Sequence, residues 1–303
     1  MKHYFSKPAL IGLLVFSMFS LSQLCAQETS LTWKLATNDR FSLVMQQQAQ
    51  IASQVDQRSR TSSNDMQMWI DWEVVDVGPN GTSTIKQTIK RITLVTKTPN
   101  ESGEQVTNVD TGAQDKASGL AARLSQMIAP LIGGTITIQM TERGAIESVV
   151  IPESTMESLR QAPESMRLRQ LFTKKGLGEM FGQAALETPD KPVAQGDTWK
   201  SSREITSEMG TFDQVQEFTF QGQPADSNMQ IITLKTELRE KSPSQTGARL
   251  DKFEGTGTFE YDPAEGVFSE SQIDNQMVTT KPYSDMVIET NVTSSIKLSV
   301  KRQ

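Results

Sequence analysis

Residues 66–75 read Met66-Gln67-Met68-Trp69-Ile70-Asp71-Trp72-Glu73-Val74-Val75, and this stretch decides the fold. Met66, Met68, Ile70, Trp72 and Val74 share one parity, while Gln67, Asp71 and Glu73 fall on the other. A period of two marks a strand with one buried face. Gly78-Pro79-Asn80-Gly81 then supplies a turn. Residues 84–96 return, rich in β-branched side chains, but their apolar parity changes between Ile89 and Ile92. That change predicts a bulge or sharp bend in the second arm of a long hairpin. Asp71 and Glu73 share a face at about 7 Å by strand rise. Carboxylates at such a spacing can do acid/base work, but a solvated strand face is the expected role here.

Working outward, residues 31–35 and 41–55 read as earlier strands with a turn at Asn38-Asp39. After the helical middle, strands resume over 199–205, 212–220, 229–238, 253–261, 267–278 and 286–300. Pro263-Ala264-Glu265-Gly266 is a hairpin turn, and residues 98–112 and 242–249 read as polar loops. In the last strand Ile288, Val292, Ile296, Leu298 and Val300 hold one parity. Gly255-Thr256-Gly257 is a fragment of a dinucleotide fingerprint, but Thr258 to Tyr261 continue as strand. A flexible strand is therefore the better reading.

The middle changes period. Over 115–129, Leu120, Leu124, Met127, Ile128 and Leu131 recur at helical spacing until Pro130 and Gly133-Gly134 end the run. Ser154-Thr155-Met156-Glu157 matches a capping box. Met166, Leu168, Leu171 and Phe172, then Leu177, Met180 and Phe181, continue the helical pattern. Strands, helices around 115–185, then strands again predict an α+β fold. Long antiparallel strands coil, so the expected architecture is a strongly curved antiparallel sheet, a half-barrel, with the central helices packed on its concave face.

The first residues stand apart. Lys2 and Lys7 precede an apolar run over residues 9–21, too short to span a bilayer and fitting a signal peptide over 1–26. Leu24 is a poor neighbour for a lipidated Cys25, so cleavage near Ala26 is expected. A single domain over 27–303 would remain, exported to the periplasm or outside and without a transmembrane span. The chain carries 30 Lys+Arg and 36 Asp+Glu, net −6. Without Lys2 and Lys7 the net charge becomes −8, which argues against nucleic acid as a partner. His3 and Cys25 are the sole histidine and cysteine. The remainder can form neither a His-based triad nor a His/Cys metal or haem site. No cofactor, metal or catalytic residue is expected, and the chain reads as a non-catalytic protein.

Several short motifs are similar to an uncharacterised exported bacterial family, a domain of unknown function: Leu31-Thr32-Trp33-Lys34-Leu35, Gly196-Asp197-Thr198-Trp199 and Gly210-Thr211-Phe212-Asp213. That family implies no activity. The order of elements resembles the lipoprotein-carrier half-barrels of the bacterial envelope, which hold acyl chains between a curved sheet and a helical lid. Methionine side chains adapt to irregular apolar partners. The expected ligand-binding residues are therefore Met127, Met166, Phe172, Met180 and Phe181, under a lid hinged at Gly176 and Gly178. The expected partner is a lipid or another apolar small molecule. The alternative reading is a structural or interaction module of the envelope, with an envelope protein as partner and no ligand cavity.

Overall fold

The computed structural model describes residues 28–55, 58–101, 103–113, 118–160 and 186–303. Within them twelve strands pair antiparallel in one sheet. The first hairpin arms are β1 (Arg40–Val55), β2 (Arg58–Val77), β3 (Ser83–Asn100) and β4 (Gly103–Asp110). Helix α1 (Gly119–Ile128), β5 (Thr135–Met140), β6 (Ile146–Val150) and helix α2 (Glu153–Arg160) follow. Six consecutive hairpin strands complete the chain: β7 (Thr198–Ser207), β8 (Gly210–Gly222), β9 (Gln230–Pro243), β10 (Arg249–Asp262), β11 (Val267–Tyr283) and β12 (Met286–Arg302). The spatial order is β6-β5-β3-β2-β1-β12-β11-β10-β9-β8-β7, with β4 on the far half of β3. The first and last strands pair from Phe41 opposite Arg302 to Val55 opposite Ile288, joining the two halves.

The alternation over 66–75 has the expected consequence. Met68, Ile70, Trp72 and Val74 are buried, and Asp71 and Glu73 face solvent as ion partners of Lys90 and Arg40. The parity change in β3 is a bulge at Lys90: Trp69 pairs with Arg91, and Ile70 with Ile89. Ile85, Ile89, Ile92 and Leu94 thereby all stay on the core face.

The sheet curls. Eleven strands laid flat would span about 48 Å at ~4.8 Å per gap. Yet one short segment reaches both edges. Thr188 N–H donates to the carbonyl of Arg143, in the β5–β6 turn, at 2.9 Å. Trp199 Nε1, on edge strand β7, donates to the carbonyl of Glu187 at 2.9 Å. Trp33 packs between the halves, its ring centroid 6.3 Å from Trp72 and 5.5 Å from Phe268. One core cluster results, drawn from both halves of the sheet.

Several expectations change. The described residues hold two short α-helices against twelve strands, so the architecture is nearer all-β than α+β. α1 begins at Gly119 and buries Leu124, Met127 and Ile128 beside β4. Leu120, placed on the same stripe, is exposed. α2 begins at Glu153, one residue before the capping-box Ser154, with Pro152 O accepting from Thr155 and Met156. Residues 98–112 are not a loop: β3 runs to Asn100 and β4 returns, hiding Thr107 and Val109. The loop expected over residues 242–249 is present: β9 ends at Pro243, β10 begins at Arg249, and residues 244–248 connect them. Residues 31–35 form no strand. They cross the end of the sheet, where Trp33 N–H meets Glu142 O and Lys34 N–H meets Gly266 O. The leader expected over 1–26, and the helical pattern from Met166 to Phe181, lie outside the described residues.

Candidate functional site

The core-bearing face of the sheet can be followed row by row through the strand register. One row runs Trp199, Phe218, Leu234, Gly257, Ile273, Ile296, Gln47, Met66, Leu94, Val109 across ten strands. It is the rim of the core. The next row out runs Ser201, Gln216, Thr236, Gly255, Asn275, Ser294, Ala49, Asn64, Thr96, Thr107. Every side chain in it is small or a neutral hydrogen-bonding group. Beyond it the apolar character returns, with Leu238, Phe253, Met277, Val292 and Ile51, then Ile205 and Phe212. This outer tier lies apart from the core cluster.

A groove of about 270 Å³ lies on this face. Its apolar walls include Ile205, Met209, Phe212, Leu238, Phe253, Met277 and Val292, and its floor includes Ile273 and Ile296. Gln47, Gln214, Gln216, Thr236, Asn275 and Ser294 supply amides and hydroxyls. Pairing of β9 with β10 covers 230–236 against 255–261 only, so the ladder between them ends where the groove begins. Gly255 explains how the floor is made. An added Cβ would come 2.8 Å from Asn275 Oδ1, 2.8 Å from Thr236 Cβ and 3.2 Å from the Phe253 ring. A bare backbone here lets three neighbours converge. Gly257, whose Cβ would stand 2.9 Å from Gln272 O, does the same one row deeper. The Gly-x-Gly pattern thus serves packing within a strand.

At the outer edge Arg203 Nε donates to Gln214 Oε1 at 2.6 Å, and Ser201 Oγ donates to Gln216 Oε1 at 3.4 Å. A larger depression of about 790 Å³ lies on the opposite face, among Gln48, Gln50, Asp65, Lys97, Glu254 and Gln276. Its charges and amides are those of a solvated sheet face. A small enclosed space of about 30 Å³ sits in the core between Trp33, Trp72, Gln87 and Met140.

Of the residues expected to bind ligand, Met127 is buried in the core beside Leu124 and Ile128 and does not line the groove. Met166, Phe172, Met180 and Phe181, with Gly176 and Gly178, lie outside the described residues. The groove instead draws its methionines, Met209 and Met277, from β-structure. Lys90 pairs with Asp71 at 3.8 Å, and Arg91, its guanidinium over the Trp69 ring, pairs with Asp110 at 2.6 Å. Among the described residues no group of three or more His, Cys, Asp or Glu could hold a metal ion.

The class defined by this geometry is an open, curled antiparallel sheet with an apolar groove on its inner face. The chain belongs to a family of unknown function, DUF6263, whose model matches residues 80–267. No curated protein matches it. Lipovitellin, in a structure of its lipid–protein interactions, is 11% identical with a TM-score of 0.48. The match covers 88% of this chain and 26% of that one, so this chain spans about a quarter of its length. An outer membrane channel of Pseudomonas putida F1 is 6% identical with a TM-score of 0.23, covering 88% and 97% of the two chains. A DUF1329 family protein of Desulfovibrio piger is 8% identical with a TM-score of 0.13, covering 85% and 84%. Likenesses of this size fix neither fold nor function.

Proposed function

We propose that this chain is an exported, non-catalytic protein that binds a lipid or similar apolar molecule in the groove on the inner face of its sheet. One observation carries the reading. The outer apolar tier of Ile205, Phe212, Leu238, Phe253, Met277 and Val292 lines a groove on the core-bearing face, separate from the packed core. Apolar side chains gathered in a concavity, with a few convergent polar groups, are the ordinary make-up of a ligand site. The groove sits just below the usual range of about 300–1,000 Å³, a size suited to part of a chain-like molecule. Burying a single methylene there stabilises a complex by about 0.8 kcal/mol, so a short acyl segment suffices for measurable affinity. In this reading α1 is cover for the concave face at its β4 side, with Met127 in the packing. The N-terminal run over residues 9–21 supports export.

Native mass spectrometry of the purified chain, followed by solvent extraction, tests the proposal. A co-purified apolar species that is lost in Met277→Asp, with the fold retained by circular dichroism, is the expected result. An adduct-free protein that also fails to take up added lipid would make the chain a ligand-free interaction module instead.

A further inference from the structure

Resting on that reading, we infer that the polar centre of the ligand is uncharged: an ester, amide or hydroxyl flanked by apolar arms. The evidence is the row that divides the two apolar tiers. Ser201, Gln216, Thr236, Asn275 and Ser294 follow one another through the register of six strands, with Gly255 interposed on β10. All can donate or accept a hydrogen bond, and none carries charge. The absence of charge extends to the whole groove. Asp, Glu, Lys and Arg make up 22% of the chain, yet among the described residues none of the sixteen lining the groove is one of them. The charges of this face stand outside that lining, as with Arg203, whose Nε–H is donated to Gln214.

The energetic consequence follows from burial. A carboxylate drawn into this row loses its hydration and meets no countercharge among the described lining residues, and an uncompensated ion in an apolar site is among the most costly arrangements in a protein. A carbonyl or hydroxyl loses less and regains it from the amides and hydroxyls of the row. The dividing row therefore sets both the position of the ligand and its class. A free fatty acid fits the tiers but not the row; its ester fits both.

Fluorescence titration of the full chain with cis-parinaric acid and with its methyl ester at neutral pH tests this. The two probes share one hydrocarbon chain and differ in the charge of the head. The ester is expected to bind about tenfold more tightly or better. Asn275→Leu, and the gentler Ser294→Ala, are each expected to narrow that preference. Equal or tighter binding of the acid overturns the inference and leaves the groove reading standing. A preference unchanged in both variants also overturns it. A fluorescence gain with neither probe overturns the groove reading and the inference together.

Discussion

Gly255 lies directly opposite Asn275 on the neighbouring strand, and the Asn275 amide oxygen stands 2.8 Å from the point where Gly255 would carry a Cβ. The groove floor depends on this pairing. Thr236 closes on the same point from the other side, at 2.8 Å. Gly255→Val must push both neighbours and the Phe253 ring into the groove. Overpacking of this kind costs about 1–3 kcal/mol. Urea unfolding should show that loss, and probe binding should vanish. A variant of unchanged stability that still binds would mean the floor is not close-packed there.

Trp72 and Gln87 form a buried polar pair, the indole Nε1 donating to Oε1 at 2.7 Å in the core. Gln87→Leu preserves much of the volume and leaves the indole N–H without its acceptor. A buried donor stranded in this way costs about 1–3 kcal/mol. Urea unfolding at neutral pH reads that difference. A cost near zero would show that removing the Gln87 Nε2 group, buried without a partner among the described residues, offsets the stranded indole.

Arg91 links β3 to the end of β4. Its guanidinium donates to both oxygens of Asp110, at 2.9 and 2.6 Å, and the Gly112 N–H adds a third bond at 2.8 Å. The Arg91 hydrogen bonds hold the Asp110 carboxyl below its ordinary range, and backbone donation from Gly112 acts in the same direction. A carboxyl depressed in the folded state contributes its stability above the unfolded value of about 3.9. That contribution drains away as pH falls from there through the folded value. The stability gap between wild type and Asp110→Asn should therefore be widest above pH ~4 and shrink on further acidification. A gap independent of pH would contradict the pairing.

Arg143 ties the two edges of the curled sheet. Its Nε donates to the Thr188 carbonyl at 2.8 Å, and its other nitrogens face Glu187 and Asp190. The ion pairs are half-exposed and individually weak, so Arg143→Ala should cost only about 1 kcal/mol globally. Its local effect should be larger. Hydrogen exchange at the Thr188 and Trp33 amides, both bonded to the β5–β6 turn, should accelerate ahead of the sheet interior. Uniform acceleration across β1 and β12 would show that the closure is not a separate unit.

Much of the sheet is legible in the sequence because its signals are local. The period of two over 66–75 and the parity slip between Ile89 and Ile92 predict a core strand and a bulge, and Lys90 is where the bulge falls. The stripe Leu124, Met127, Ile128 and Leu131 predicts α1 and its buried side. β4 escapes because it is an edge strand whose outward positions are polar or, like Val106, exposed; only Thr107 and Val109 face the interior. The groove escapes for a different reason. Ser201, Gln216, Thr236, Asn275 and Ser294 are scattered over ninety-odd residues and become a row only through the register of six strands. A β-register is fixed by long-range pairing, which no local pattern reports. For the same reason the local signal falls on the methionines at helical spacing, whereas Met209 and Met277, isolated in turn and strand, are the ones that line the groove.

Methyl NMR of methionine-labelled protein, titrated with methyl cis-parinarate, is the most direct measurement. Met209 and Met277 line the groove, and Met127, on α1, is sealed in the core. Saturable shifts of the first two, with Met127 unmoved, are predicted. Shifts at Met127 with Met209 and Met277 silent would place any apolar ligand elsewhere and contradict the account.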